Sequence, residues 1–274
     1  AERFTEQASR RWDVRLGRHI TSMTATGPDR RGVEITFEDG STCSGDALLV
    51  ATGRTPNGDL LGLDAAGVEM DGDLVRVDEY GRTTADGVWA LGDVSSPFQL
   101  KHVANHEQRV LSHNVRHPED LQPFNHDHVP YAVFTWPQIA SVGLTEAEAR
   151  AAGYDVTVKT QDYGDVAYGW AMEDTSGFAK IIADRETTAI LGCHIIGPQA
   201  PILVQLIVQA MATGQTARDI VRSQHWIHPA MPELIENALL KIIEASESAT
   251  RGAGPMLPEN STEADISEEV KGGN

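Results

Sequence analysis

Two apolar runs, each ending on a glycine, constrain the first part of the chain more than any other feature. Ala47-Leu48-Leu49-Val50 leads into Ala51-Thr52-Gly53-Arg54-Thr55-Pro56-Asn57, and Val88-Trp89-Ala90-Leu91 leads into Gly92-Asp93. A strand that is apolar at every position is covered on both faces, as in a parallel sheet flanked by helices. Open α/β sheets of that kind collect ligands at the carboxyl ends of their strands. Gly53 permits a sharp turn and a close approach of backbone to ligand. Gly92 does the same beside Asp93, whose carboxylate can accept hydrogen bonds from sugar-type hydroxyls. The competing reading is an ordinary strand-to-loop turn at each place, with Asp93 only capping it.

The rest of this part is consistent with an α/β piece. Residues 1–12 read as the end of a helix, and residues 14–16 and 20–25 as short strands. Residues 32–37 alternate with period two and run into Asp39-Gly40, a hairpin signal, after which residues 47–50 are expected as the next strand. Residues 74–77 form another strand candidate. Residues 101–115 are expected to be helical, and the free N–H groups at such a helix start can hold a partly negative oxygen. His102 with His106, and His113 with His117, have the i, i+4 spacing that can bind a metal. No cysteine or carboxylate completes a ligand set, so these are read as polar positions on one helix and no metal is expected. His126-Asp127-His128 is read the same way.

Two prolines and a run of polar residues mark a boundary at 118–129, and an α+β pattern follows. Strands are expected at 132–135, 139–143, 155–160, 178–183 and 190–196, with a hairpin turn at 184–187. Thr145-Glu146-Ala147-Glu148 is a capping box that opens a helix. Residues 201–212 form a helix apolar on almost every side, which belongs in a core or an interface. A short capped helix covers 216–222. The chemistry of this part lies in Gln224-His225-Trp226-Ile227-His228-Pro229-Ala230-Met231-Pro232-Glu233, ahead of an apolar helix over 234–243. Pro229 pushes His228 out of the α region, and a proline suits the first helical turn. Glu233 falls in that turn, where the helix dipole favours a carboxylate. A loop imidazole and a first-turn carboxylate can meet, and the carboxylate would fix the tautomer and favour a proton on the ring, as a general acid/base requires. The competing reading is a satisfied histidine at a helix entrance.

Bulk composition excludes several classes of function. A net charge of −18 argues against nucleic acid and against anionic membrane surfaces. Residues 244–274 hold seven acidic and two basic residues, a balance of −5, and read as a disordered acidic tail. No run is long enough to span a bilayer, and the start has no secretory apolar segment and no initiator Met. Cys43 and Cys193 lie far apart in strand-like sequence and are expected to be reduced core residues rather than a disulfide framework, which fits a reducing cytoplasm.

Together these stretches resemble the flavoprotein pyridine nucleotide–disulfide reductases. The resemblance is carried by residues 51–57, 83–93, 139–145, 192–197 and 227–229 with Glu233, in that family's order. It implies the end of an NAD(P)-binding domain at 1–57 and the second part of an FAD-binding domain at 58–118, both Rossmann-like. A linker at 119–129, an α+β interface (dimerisation) domain at 130–243 and the tail at 244–274 complete the division. It implies FAD and NADPH as cofactors and a homodimer as the working form. Asp93 would hold a ribityl hydroxyl of FAD; Gln99, Leu100, Lys101 and His102 would line the flavin; Gly53 would lie against the nicotinamide nucleotide. His228 would shuttle a proton at the partner subunit's flavin–disulfide site, oriented by Glu233. Within the family, residues 168–174 and 228–239 are worded most like the branch that reduces a low-molecular-weight disulfide. Lipoamide dehydrogenases carry His-x-His-Pro, whereas two residues separate His225 from His228 here. Neither the family's cysteine pair nor its Gly-x-Gly-x-x-Gly loop is in the sequence, so the chain is expected to be a C-terminal portion, inactive alone. The rival readings are the lipoamide or mercuric branch of the family and a non-catalytic dimerisation module.

Overall fold

In the computed structural model, which describes residues 1–252, the chain forms two compact units. The first holds Ala1–Ala140 with Ile196–Pro201; the second holds Ser141–Ile195 and the chain from Ile202 onward.

The first unit opens with α1 (Glu2–Ser9), then an antiparallel sheet in the order β1 (Ile20–Thr26), β2 (Gly32–Phe37), β3 (Thr42–Gly45). The expected Asp39-Gly40 turn is present. Gly40 has φ +80°, and Asp39 accepts the Ser41 N–H at 3.0 Å. It joins β2 to β3, so residues 47–50 are not the hairpin's return strand. They have no ladder, and Leu49 is 87% exposed. The fully covered strand read from their apolarity is therefore corrected: such a strand takes its hydrogen bonds from neighbours on both sides, and none lies alongside among the described residues. Residues 88–91 likewise form no strand. Their one ladder contact is the Arg82↔Trp89 bridge, because residues 83–88 close into a turn in which Thr83 N–H donates to the Val88 carbonyl at 3.0 Å. Residues 14–16 are also not a strand. The small pair β4 (Met70–Asp71) and β5 (Leu74–Val75) follows, then α2 (Lys101–Arg116). The buried face of α2 carries Val103, Glu107 and Asn114. Asn114 donates to the Tyr80 and Gln122 carbonyls and accepts the Gln122 N–H, which pins the segment after the helix.

A short β6 (Tyr131–Val133) closes the main part of the first unit, and the second unit is built on strands in the order β7 (Ile139–Gly143), β10 (Ile190–Ile196), β9 (Phe178–Asp184), β8 (Val156–Asp162). β8 and β9 are antiparallel, from Val156↔Asp184 to Asp162↔Phe178. Thr145 makes the expected capping box with Glu148 at the start of α3 (Glu146–Ala151), and Asp184 caps the turn into β10 through the Thr187 N–H. A short α4 (Ala167–Ala171) precedes β9. In α5 (Ala200–Ala212), Leu203, Val204, Ile207 and Ala210 are buried, so the all-round apolar helix lies mainly in the core, with Ile202 exposed. Thr216 caps α6 (Ala217–Ser223) through a second capping box with Asp219. The last helix, α7 (Glu233–Gly252), buries Leu234, Ile235, Ala238, Leu239 and Ile242, a one-sided stripe at helical spacing, and packs on β8 and β9. It continues past residue 243, so the expected disorder is corrected for residues 244–252, where Ser246 is still buried. The remainder of the acidic tail lies outside the described residues. No helix among the described residues is long and apolar enough to cross a membrane.

Candidate functional sites

Two groups of side chains with chemical potential stand out, one in each unit. In the first unit, Gly92–Val94 forms a single 3-10 turn with Gly92 at φ +72°, a conformation that favours glycine. Asp93 projects from this elbow and is bonded by Arg54, whose Nη1 donates to Asp93 Oδ2 at 2.8 Å and to the Gln99 carbonyl at 3.2 Å. Gln99 itself sits at φ +48°. Arg54, Thr55, Pro56, Asn57, Leu61, Asp93, Val94 and Gln99 line one cleft of about 590 Å³. Gly53, at φ +131°, is exposed at its edge in sequence, next to Arg54.

α2 starts at the end of the same loop. Leu100 is its N-cap and provides no side-chain cap, so the first-turn N–H groups are left for an outside acceptor. Lys101 is exposed. The His102 ring is turned to the Pro130 carbonyl, 2.7 Å from Nε2, so what His102 brings to the helix start is its backbone N–H. Of the other histidines on and after α2, His113 lies against Asp120 and His117 against Glu119, whereas the buried Nε2 of His106 has no hydrogen-bond partner among the described residues. Two residues that sequence reasoning did not single out matter here. Arg54 ties the Gly53 segment to Asp93. Glu107, 1% exposed, accepts the Gly92 N–H and a bond from His126, each at 2.7 Å. No local signal marked either residue, since the buried face of α2 also carries the polar Asn114.

A wider cleft of about 920 Å³ in the same unit runs past Arg76, Asp78, Arg82 and Trp89. Its arginines are paired within the chain, Arg76 with Glu69 and Arg82 with Asp78.

In the second unit, the His228–Pro229 peptide is cis and α7 begins at Glu233. The structure brings His228 and Glu233 together: Nδ1 and Oε1 are 2.7 Å apart. Glu233 Oε2 accepts the Ala230 N–H at 3.1 Å, so the carboxylate holds both the ring and its loop. The His228 bond is the main reason the Glu233 carboxyl lies below its usual range; the Ala230 N–H adds to it and burial opposes it. Three residues on, burial and the charge of Glu233 push Glu236 the other way. The His228 side chain is 69% exposed and that of Glu233 16%. The carboxylate can only accept, so Nδ1 carries the hydrogen and Nε2 is left to take or give a proton. Neither cysteine belongs to this group. Both are free; the core position expected of Cys43 is corrected, since every residue of β3 is exposed, whereas Cys193 is buried and burial pushes its thiol up to about 12.

With this geometry in place, comparison with known proteins is informative. The family model described as pyridine nucleotide-disulphide oxidoreductase matches residues 2–108, and that of its dimerisation domain matches residues 129–239. The chain is 55% identical over 243 residues to mycothione reductase of Mycobacterium tuberculosis, covering 87% of this chain and 52% of that protein. It is 36% identical over 199 residues to dihydrolipoyl dehydrogenase of Mycobacterium leprae, covering 72% of this chain and 42% of the relative. Among solved structures, LpdA from Mycobacterium tuberculosis superposes with a TM-score of 0.77 at 28% identity, over 87% of this chain and 51% of that one. The HOCl-induced flavoprotein disulfide reductase RclA from Escherichia coli gives 0.78 at 28% identity, over 86% and 54%. The chain thus spans about half the length of the relatives it matches.

Proposed function

Because the chain belongs to the pyridine nucleotide–disulphide oxidoreductase family, we propose that it forms part of an FAD-dependent NADPH:disulfide oxidoreductase whose substrate is the low-molecular-weight disulfide mycothione. The substrate reading is supported by the 55% identity to mycothione reductase, against 36% for the dihydrolipoyl dehydrogenase of Mycobacterium leprae. The observation that carries the chemical reading is the His228–Glu233 pair at 2.7 Å.

The residues of the first unit fit a flavin. Asp93 offers a carboxylate to a ribityl hydroxyl. The uncapped start of α2, at Leu100, Lys101 and His102, offers N–H donors to ring carbonyl oxygens. Ser96, 4% exposed, has a buried hydroxyl without a partner among the described residues, a state that an incoming acceptor relieves. Gly53 sits where a close approach by the nicotinamide nucleotide meets no side chain. A bound flavin supplies the two-electron transfer between nicotinamide and disulfide.

The proton balance explains the second group. Reducing a disulfide to two thiols takes two electrons and two protons, and a hydride brings two electrons with only one proton. The other proton is handled at Nε2 of His228, with Nδ1 held by Glu233. General acid/base help of this kind contributes about 10²–10⁴-fold. The match to a dimerisation domain supports a homodimer in which His228 serves the partner's site. The test is turnover of the complete protein with mycothione, lipoamide or mercuric ion as acceptor and NADPH or NADH as donor. Preference for mycothione with NADPH supports the reading; preference for lipoamide or mercuric ion moves the protein to that branch, and absence of turnover with all acceptors makes it a non-catalytic dimerisation module.

A further inference from the structure

We propose that Glu107 and His126 form a positioning pair that holds the Gly92–Asp93 elbow in the shape that presents Asp93. The proposal rests on reading Asp93 and the start of α2 as the flavin-binding segment. Glu107 lies on the buried face of α2, and a carboxylate at 1% exposure persists only when it is partnered. Both of its oxygens are engaged: Oε2 accepts the Gly92 N–H at 2.7 Å, and Oε1 faces Nε2 of His126 at 2.7 Å. Gly92 is pressed onto the helix as well. A Cβ built there would come 3.3 Å from that of Ala104, at a φ of +72°.

His126 also touches the far side of the same loop. Its ring centroid is 5.2 Å from that of Phe98 and 6.1 Å from that of Phe124. Phe98 lies between Asp93 and α2. One imidazole therefore reaches the loop at two points, through Glu107 to Gly92 and by ring contact to Phe98. Residues 92–98 are clamped against α2 between these points. Removing the carboxylate leaves the buried Gly92 N–H without its acceptor, and the elbow is free to turn away from the shape that aims Asp93. Glu107 acts on the cofactor only through this backbone, so its role is positional.

The test uses the complete protein, stripped of flavin and reloaded, as wild type, Glu107→Ala, Glu107→Gln, His126→Phe and Asp93→Ala. Flavin dissociation constants, the flavin midpoint potential and the melting temperature of the apo-protein are read for each. An unsatisfied buried donor is equivalent to about tenfold or more in affinity, so Glu107→Ala is expected to weaken flavin binding by that factor and to shift the potential. Glu107→Gln keeps an acceptor for the Gly92 N–H and is expected to return most of the affinity. His126→Phe keeps the packing on Phe98 and is expected to fall between. Wild-type affinity and potential in Glu107→Ala, with Asp93→Ala impaired, overturns the pair's role while leaving the flavin reading standing. Wild-type behaviour in Asp93→Ala overturns the flavin reading and the pair's role with it. If Glu107→Ala does not fold, His126→Phe decides: unchanged affinity and potential there overturn the proposal.

Discussion

Glu233 bonds Nδ1 of His228 through one carboxylate oxygen, at 2.7 Å, and the N–H of Ala230 through the other, at 3.1 Å. A single side chain thereby fixes an imidazole and the loop that carries it. The anchoring partner is mostly buried and the presented partner mostly exposed. A proton-transfer group needs this division, with one ring nitrogen immobilised and the other accessible.

His228→Ala separates the two half-reactions proposed for the complete protein. Reduction of flavin by NADPH does not use His228 and is expected to proceed at a near wild-type rate. The following disulfide step is expected to slow by about 10²–10⁴-fold. Stopped-flow absorbance of the flavin resolves both. Equal slowing of the two steps, or of neither, would remove His228 from the proton transfer.

Glu233→Ala removes two hydrogen bonds at the first turn of α7 and is expected to lower stability by about 1–2 kcal/mol, most of it from the Ala230 N–H, because the exposed His228 contact is screened. The pH dependence has a definite sign. The folded-state value of the Glu233 carboxyl is depressed, chiefly by the His228 bond. Its contribution is therefore complete above the ordinary carboxylate range and is lost as pH falls through the depressed value. Urea unfolding of wild type and Glu233→Gln should accordingly differ most at neutral pH and converge in acid. A gap that is constant with pH would show that the ionised carboxylate is not the source.

What the sequence discloses here is mostly local. Thr145 with Glu148, and Thr216 with Asp219, are capping boxes legible from four residues each, and both form. The Asp39-Gly40 turn and the Asp184 turn are of the same kind. The His228–Glu233 contact is also short-range, five residues bridged at a helix entrance. Ladder partners are non-local. Nothing in the apolarity of residues 47–50 says whether neighbours lie beside them, and Leu49 is exposed. Arg54 and Glu107 were illegible for the same reason: their partners Asp93 and Gly92 are 39 and 15 residues away. The length of α7 was underestimated because its later turns carry Glu and Ser, whereas Ser246 is buried and accepts a bond from Arg218 at 2.8 Å.

Arg54→Met tests whether the guanidinium matters beyond its own ion pair. Both partners are well exposed, at 65% and 45%, so the pair contributes little to stability and the melting temperature should hardly move; about 0.5 kcal/mol is the expected size. Flavin affinity should fall nonetheless, because Asp93 and the Gln99 carbonyl lose the group that spans them. Flavin titration of the stripped protein measures this. A large loss of stability with unchanged affinity would make Arg54 a purely structural residue.

Gly192→Ala tests the packing of β10. A Cβ at this position would lie 2.0 Å from the Leu144 carbonyl oxygen, and the obstacle is backbone, which cannot swing aside. The reciprocal contact is equally tight, since a Cβ on Gly143 would lie 2.3 Å from the Leu191 carbonyl oxygen. Gly192→Ala is expected to cost about 3 kcal/mol or more. Gly214→Ala, at φ +67° with open space around it, should cost only about 1 kcal/mol of backbone strain. Denaturant midpoints of the two variants give the comparison, and equal effects would mean that the chain around Gly192 yields.

His194 gives the second unit a pH dependence of its own. Its Nε2 lies 3.1 Å from the Leu144 carbonyl and its Nδ1 3.0 Å from Ser141 Oγ. A carbonyl only accepts, so the hydrogen is on Nε2 and Nδ1 accepts from the serine hydroxyl; the neutral ring is satisfied at both nitrogens. Burial holds the ring below the ordinary histidine value, the Leu144 carbonyl pulls the other way, and Lys180 adds to the lowering. The unfolded chain therefore binds this proton first as the solution is acidified. Stability is complete above the ordinary histidine range and declines as pH falls towards the depressed value, by at most about 1.4 kcal/mol per pH unit. Urea unfolding from slightly alkaline to mildly acid pH should show this slope in wild type and a shallower one in His194→Gln, whose amide can still donate to Leu144 and does not titrate. An unchanged slope in the variant would assign the acid sensitivity to another group.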